Sequence, residues 1–409
     1  MGNMIIGQSG GPTAVINSSL AGAIKAAKIN GVERIYGMRY GIEGLLQDKV
    51  FDLGVYFSNL YDLSLLKRTP AAFLGSCRYK LPSAKDDEDT YKKIFALLEK
   101  YDIDKFLYVG GNDSMDTIQQ LYDYAAEHSI KVRFMGIPKT IDNDLPYTDH
   151  TPGYGSAAKF IATSMKEMIQ DNESFGAGDP RIAVVEIMGR NAGWLTGATA
   201  LSKDADCGGP DLIYLPELPF DEDDFIERVE RILLTKKSIV VAVSEGLRLA
   251  DGTLVCNYGM DASHTDAFGH QQLSGAGRML SNALGYRLGC KSRAIEFSLL
   301  QRCATHMASR TDVDEAYNVG YIAVSKILEG ESGKMVTIEV DSREPYVAHY
   351  ELHDVHGIAN VEKKVPLDWI TPDGTYVTEQ FVNYVKPLVI GMIEPHFAAG
   401  LPKHLKIPK

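Results

Sequence analysis

Cysteine is scarce in this chain. Its 409 residues hold five, Cys77, Cys207, Cys256, Cys290 and Cys303, scattered, odd in number and without a CxxC pair. That pattern excludes a disulfide framework and a structural zinc of the usual spacing, and it suits a reducing compartment. Long apolar runs are missing too, since no stretch approaches the roughly 20 residues a membrane-spanning helix needs. The opening residues MGNMIIGQSGG have neither the basic region nor the apolar run of a signal peptide. A soluble, cytoplasmic protein without a membrane partner is expected. Basic charge is in deficit, with 42 Lys and Arg against 54 Asp and Glu and a formal net charge of -12. No long basic face is left for nucleic acid, and a protein of this charge that handles anions must gather its cations locally. Finally, no GxxxxGK[ST] sequence occurs, so a P-loop is excluded.

What is present is enough apolar content, 45% of 409 residues, for a large core divided into two lobes. Met4 to Gly7 read as a short strand, followed by QSGGP and a helix over Thr13 to Lys28. Strand, glycine turn and helix in that order aim backbone N–H groups at a helix N-terminus, where phosphate binds. A second strand is expected at Arg34 to Met38, then a loop GSCRYK, Gly75 to Lys80, carrying Arg78. A charged helix from Asp87 to Tyr101 precedes the strand Phe106 to Val109, the loop GGNDS from Gly110 to Ser114, and a helix to Glu127. The strand Val132 to Ile137 then delivers PKTIDND, Pro138 to Asp144. Three polar or glycine-rich loops at the carboxyl ends of three strands predict a doubly wound α/β lobe with its ligand at that edge.

The grammar resumes after a crossing helix at Ala157 to Gln170. Strands are expected at Arg181 to Ile187, Leu212 to Leu215 and Ile239 to Val243, with MGRNAG after the first, a helix continuing through Leu201, an acidic helix over Asp221 to Leu234, and SEG, Ser244 to Gly246, after the last strand. Residues 247–275 read as an excursion. Helices are expected at Gly275 to Leu288, Ser292 to Ala308 and Val313 to Leu328, and a strand at Val336 to Val340. The organisation expected is one α/β lobe over 1–145, a second over 146–300 that carries the excursion, and helices over 301–409 that return to the lobes, with an extension whose role the sequence does not reveal.

PKTIDND places Asp142 and Asp144 on either side of an amide, with Lys139 three residues before the first. A base, a metal ligand and a cation on one loop suit attack by a hydroxyl on a phosphoryl group, where positioning and charge neutralisation supply most of the rate. The same residues also make an Asx turn for purely local reasons, so the neighbouring loops decide. Two other motifs compete. GQSGG, Gly7 to Gly11, fits the G-x-S-x-G nucleophile elbow, with Ser9 as nucleophile and His264 or His306 as its base, but it leaves PKTIDND and GGNDS without work. GYGSAA, Gly153 to Ala158, fits G-x-G-x-x-A, but Thr-Pro rather than a strand precedes it.

SGG at Ser9 to Gly11, GSCRY around Arg78, GGNDS, PKTIDND, and MGR with SEG together resemble the phosphofructokinase family in order and spacing, over residues 1 to about 330. The resemblance implies an α/β fold of two Rossmann-like doubly wound lobes with the active site in the cleft between them. It also implies phosphoryl transfer to O1 of fructose 6-phosphate in glycolysis. Asp142 then matches the catalytic base, with Thr140 and Ile141 on the same sugar-contacting turn. Met188, Gly189 and Arg190 match the sugar-phosphate loop, and Glu245 the carboxylate that accepts sugar hydroxyls. Arg181, nine residues before Arg190, matches an arginine that reaches across a subunit interface, which implies a homodimer or homotetramer with shared active sites. LLQR aligns with the family's second phosphate loop, making Arg293 and Arg302 a pair of clamp arginines, with Leu299 in place of the usual His or Tyr.

The donor is expected to be pyrophosphate. Where ATP users of the family carry glycines, this chain has Asp113 and Lys139, and Ile42 replaces an adenine-contacting tyrosine. An aspartate there repels an α-phosphate, while the lysine neutralises pyrophosphate. Gly11, Arg78 and Lys139 are the expected diphosphate ligands, and Lys139, Asp113 and Arg190 join Asp142 in catalysis. Mg2+ is the implied cofactor, near Asn112, Asp113 and Asp144, although Asn112 stands where relatives have an aspartate and is the weaker ligand. ATP-dependent 6-phosphofructokinase activity is the nearest alternative, and a serine hydrolase using Ser9 a more remote one.

Overall fold

In the computed structural model, residues 2–175, 178–257, 275–359 and 361–407 are described. The strands of the two large sheets, in chain order, are β1 (Asn3–Gln8), β2 (Ile35–Met38), β3 (Val50–Asp52), β4 (Ile103–Gly110), β5 (Arg133–Pro138), β6 (Arg181–Ile187), β7 (Leu212–Tyr214), β8 (Ser238–Ser244), β9 (Lys291–Glu296), β10 (Lys334–Arg343) and β11 (Tyr346–Asp354); two-residue strands β12 (Phe397–Ala398) and β13 (Leu401–Pro402) pair separately. The first sheet has the order β11-β10-β5-β4-β1-β2-β3, with parallel pairing from β10 through to β2 and an antiparallel strand at each edge. The second, β7-β8-β6-β9, is parallel throughout.

Both sheets are covered on their two faces, as period-two alternation requires. In β4, Leu107 and Val109 face one cluster with Met4, Ile6 and the helix Ile16–Ile29, while Phe106 and Tyr108 face another with Ile5 and the helix Glu88–Lys100. In β6, Val185 and Ile187 pack beneath Trp194 and Tyr384, and Ile182 and Val184 against Phe225 and Leu280. Helix starts follow their sequence signals: Asp87 and Asp221 accept hydrogen bonds from the backbone N–H of Thr90 and Asp224.

Strand order brings the predicted loops together. β5, β4 and β1 are neighbours, so Lys139, Gly110-Gly111 and Gly10-Gly11 leave adjacent strand ends on one edge. In the second sheet β8, β6 and β9 are neighbours and deliver Glu245, Met188 to Arg190 and the segment that reaches Arg302.

Two expectations are corrected. Ser292 to Ala308 is not one helix. Lys291–Glu296 form β9, paired in parallel with β6, and only Leu300–Cys303 is α-helical, before a 3-10 turn at Thr305–Met307. Lys, Arg, Ala and Glu favour helix locally, but pairing along the free edge of β6 overrides that propensity. Nor is the segment after MGRNAG a continuous helix: it is α over Trp194–Gly197 and 3-10 over Ala198–Ser202. The motif GYGSAA starts the helix Tyr154–Glu173, whose first turn is held by buried Asp312, accepting 2.8 Å bonds from the N–H groups of Gly153 and Ser156. Of the excursion, residues 258–274 lie outside the described residues, and His264 with them.

The C-terminal third crosses back. The helix Arg310–Glu329 lies on the helix Ile16–Ile29 so closely that a Cβ on Gly22 would come within 1.9 Å of the Tyr317 carbonyl oxygen. Ser18 donates to the carbonyl of Val313 at 2.7 Å in the same contact, and β10 then adds to β5 in the first sheet.

Candidate active site

The strand ends of the two sheets enclose a cleft of about 700 Å³. Five cations line it, Arg78, Lys139, Arg190, Arg302 and Lys364, and so do five carboxylates, Asp113, Asp142, Asp144, Glu245 and Glu362. The wall built by the first sheet starts with the Gly10-Gly11 turn. Gly10 has φ +71°, and a Cβ there would stand 3.2 Å from Lys139 Nζ. At Gly11 a Cβ would come within 2.8 Å of an Arg302 guanidinium nitrogen, so the bare backbone is what admits both cations. The turn is tied to the Arg78 loop, with Gly10 N–H donating to the Cys77 carbonyl at 3.0 Å and Ser76 Oγ donating to the Gly10 carbonyl at 2.6 Å.

Lys139 is buried at the centre, its Nζ donating to the Gly11 carbonyl at 2.7 Å. Burial pulls its pKa down to about 8, against the opposing pull of Asp142 and Asp144. Three residues on, the backbone N–H of Asp142 donates to Thr140 Oγ1 at 3.0 Å. Burial raises the Asp142 pKa against the pull of Lys139 and Arg190. Asp144 is pushed up to about 7 by burial and then by Asp142, and Glu245 likewise to about 7. The turn between the two aspartates is fixed by Asn143, left-handed at φ 56°, which donates to Tyr384 Oη at 2.7 Å and accepts from Thr151 N–H at 3.0 Å.

Asn112 and Asp113 open the helix Asn112–Glu127, and both line the cleft. Asn112 Nδ2 donates to the Val361 carbonyl at 2.6 Å. On the opposite wall, Gly189 has φ +147° and its carbonyl accepts from Ser244 Oγ, while its N–H donates to Glu245 at 3.4 Å. Gln301 accepts from Met188 N–H at 3.2 Å, so the LLQR segment braces the MGR loop.

Of the residues singled out from sequence, the structure gathers Gly11, Arg78, Asn112, Asp113, Lys139, Thr140, Ile141, Asp142, Asp144, Met188, Arg190, Glu245 and Arg302 around this cleft. It does not gather Arg181 and Arg293 there. Arg293 is exposed on the edge strand β9, in register with Ala183, and Arg181 opens β6 with its guanidinium 3.8 Å over the Phe175 ring. Of the expected clamp pair, Arg302 lines the cleft of its own chain and Arg293 does not. Leu299 is 56% exposed and lies outside the cleft. Ile42 is fully buried. Ser9 is buried with its hydroxyl paired to that of Ser114, and His306 is exposed, so the hydrolase arrangement is not assembled by these residues. Sequence reading missed Asn191, Glu362 and Lys364. The last two come from the charged triplet EKK before Pro366, the one signal that segment offered.

Comparison with known proteins agrees with this geometry. The family model described as phosphofructokinase matches residues 3–297. The pyrophosphate--fructose 6-phosphate 1-phosphotransferase of Halomonas elongata is 39% identical over 100% of this chain and 96% of its own length. That of Methylococcus capsulatus is 37% identical over 99% and 96%. The crystal structure of the pyrophosphate-dependent phosphofructokinase of Nitrosospira multiformis superposes with a TM-score of 0.89 at 34% identity, covering 100% of this chain and 98% of that one. With the cleft assembled from both sheets and the match running through most of its length, the chain belongs to the phosphofructokinase family.

Proposed function

We propose that this protein transfers a phosphoryl group reversibly between pyrophosphate and O1 of fructose 6-phosphate, as a cytoplasmic glycolytic enzyme. The observation that carries the choice of donor is Lys139, buried between the Gly11 carbonyl and the Asp142 turn, with Asp113 on the facing helix end. Asp142 takes the proton of the sugar's 1-hydroxyl as O1 bonds to the near phosphorus. The bridging P–O bond breaks, and orthophosphate leaves with its charge held by Lys139 and Arg78. Arg190 and Arg302 neutralise the equatorial oxygens and the sugar phosphate, and Glu245 accepts sugar hydroxyls.

The oxygen-only donors Asp113 and Asp144, with the Asn112 carbonyl, suit Mg2+, which binds through one or two carboxylates plus substrate phosphates and keeps several waters. Among the described residues no three His, Cys, Asp or Glu side chains converge as a metal site. When bound, it would neutralise charge on the phosphates. Burial and Asp142 together hold the Asp144 pKa near 7, a repulsion that a cation relieves. Arg293, on the edge strand β9, and Arg181, at the start of the adjoining interior strand β6, are the arginines a neighbouring subunit would receive.

The test is a donor-swap assay with and without magnesium. Turnover with pyrophosphate but not ATP is expected, and turnover with ATP alone would replace this reading with the ATP-dependent one. The pH profile supplies a second check. Lys139 is the required cation and loses its proton near pH 8, so kcat/KM for pyrophosphate falls as pH rises through about 8. Asp142 is required as the base, and its raised pKa puts the acid limb above the ordinary carboxylate range. In Lys139→Met the residual activity is expected to lose the alkaline limb, and a limb that persists unchanged assigns it to another group.

A further inference from the structure

The segment 361–365 crosses from one lobe to the other beside the catalytic turn. At its start the Val361 carbonyl accepts from Asn112 at 2.6 Å, and Lys363 N–H donates to the Asp144 carbonyl at 2.7 Å, both on the first lobe. Lys363 Nζ also donates to the carbonyls of Thr148 and Asp149 at 3.0 and 2.7 Å. The Lys363 carbonyl accepts from the Trp194 indole at 2.9 Å, and Val365 N–H donates to Glu217 at 3.0 Å, both on the second. Extended backbone alternates its side chains. Lys363 is accordingly turned inward to these carbonyls, while Glu362 and Lys364 line the cleft. Glu362 in turn accepts from Asn191 at 2.8 Å.

We propose that Lys364 is a phosphate-binding residue of the active site, presented by this strap to a phosphate dianion bound in the cleft. The inference rests on the phosphotransferase reading for the identity of the two candidate phosphates, pyrophosphate and the sugar phosphate. It rests on geometry for the rest. A surface lysine is ordinarily free to move with its loop, but here the backbone on both sides of Lys364 is pinned to the second lobe within 3.0 Å contacts, and the N–H of Lys363 holds the first lobe at 2.7 Å. The cleft must accept two multiply charged anions with a catalytic carboxylate between them. Of the five cations that line it, Lys364 is the one contributed from beyond the segment 3–297 matched by the family model, apart from Arg302 near that boundary. Its charge also acts on Glu217, which holds Gly193 N–H at 2.8 Å. A counter-ion role limited to Glu217 is the competing assignment.

The experiment compares wild type, Lys364→Gln and Lys364→Arg. Binding of pyrophosphate and of fructose 6-phosphate is titrated separately by calorimetry and by the fluorescence of Trp194, whose indole bonds the strap. KM and kcat for each substrate, and Tm, are measured alongside. Lys364→Gln is expected to weaken one of the two ligands about 10-fold or more, with Tm unchanged, and Lys364→Arg to restore most of the loss. Affinities and KM values within twofold of wild type for both ligands overturn the proposal. So does a fall in Tm with unchanged KM, which assigns Lys364 to Glu217 instead. If wild type binds both phosphates but does not turn over with pyrophosphate, the functional reading fails while the binding titrations still decide the role of Lys364.

Discussion

Asp142→Ser is expected to lower kcat by about 10³- to 10⁴-fold while leaving fructose 6-phosphate binding near wild type. Asp142 lines the cleft between Lys139 and Arg190, and burial lifts its pKa from the ordinary range toward that of a useful base. Serine keeps a small polar side chain and the bond from the backbone N–H to Thr140 Oγ1, so the turn survives without its proton acceptor. Sugar binding rests on other groups, which is why KM should hold. Single-turnover measurement of phosphoryl transfer is the direct readout, and a rate within tenfold of wild type removes Asp142 as the base.

The second large effect concerns the donor. In Asp113→Gly combined with Lys139→Gly, pyrophosphate kcat/KM is expected to fall by about 10²- to 10³-fold, the scale of losing one preorganised group that stabilises transition-state charge. ATP turnover is expected to appear. Asp113 sits in the first turn of the helix Asn112–Glu127, where on the proposed reading its carboxylate would repel any third phosphate carried by the donor. Lys139 is buried at the centre of the site, and on the proposed reading it would give its charge to a donor that lacks a nucleotide. Donor preference measured by parallel initial rates decides the matter, and an unchanged ratio of pyrophosphate to ATP use would falsify the steric account.

The donor-side half of the site was legible because each piece of it follows its strand directly. Gly11, Gly110 to Asp113 and Lys139 to Asp144 stand at the ends of β1, β4 and β5, and local pattern finds such loops without knowing the sheet order. Arg293 shows where that method stops. Its segment has helical propensity, and only the free edge of β6, supplied by residues more than a hundred positions away, makes it a strand and turns the arginine out of the cleft. Glu362 and Lys364 were illegible for a related reason. Their place depends on bonds to Asn112, Trp194 and Glu217, none of which leaves a periodic trace in EKK. The overlay of PKTIDND and an Asx turn was resolved by tertiary partners as well, since Asn143 owes its left-handed conformation to Tyr384 and Thr151.

The helix Arg310–Glu329 and strand β10 close the first lobe although they are encoded after all four strands of the second sheet. On the ribosome, the amino-terminal half must therefore wait, with the groove around Gly22 and one side of β5 uncovered, until more than three hundred further codons past the first strand have been read. The four strands of the second sheet follow one another in the chain and can pair while that wait lasts, but the face beneath Phe381 and Tyr384 waits longer still.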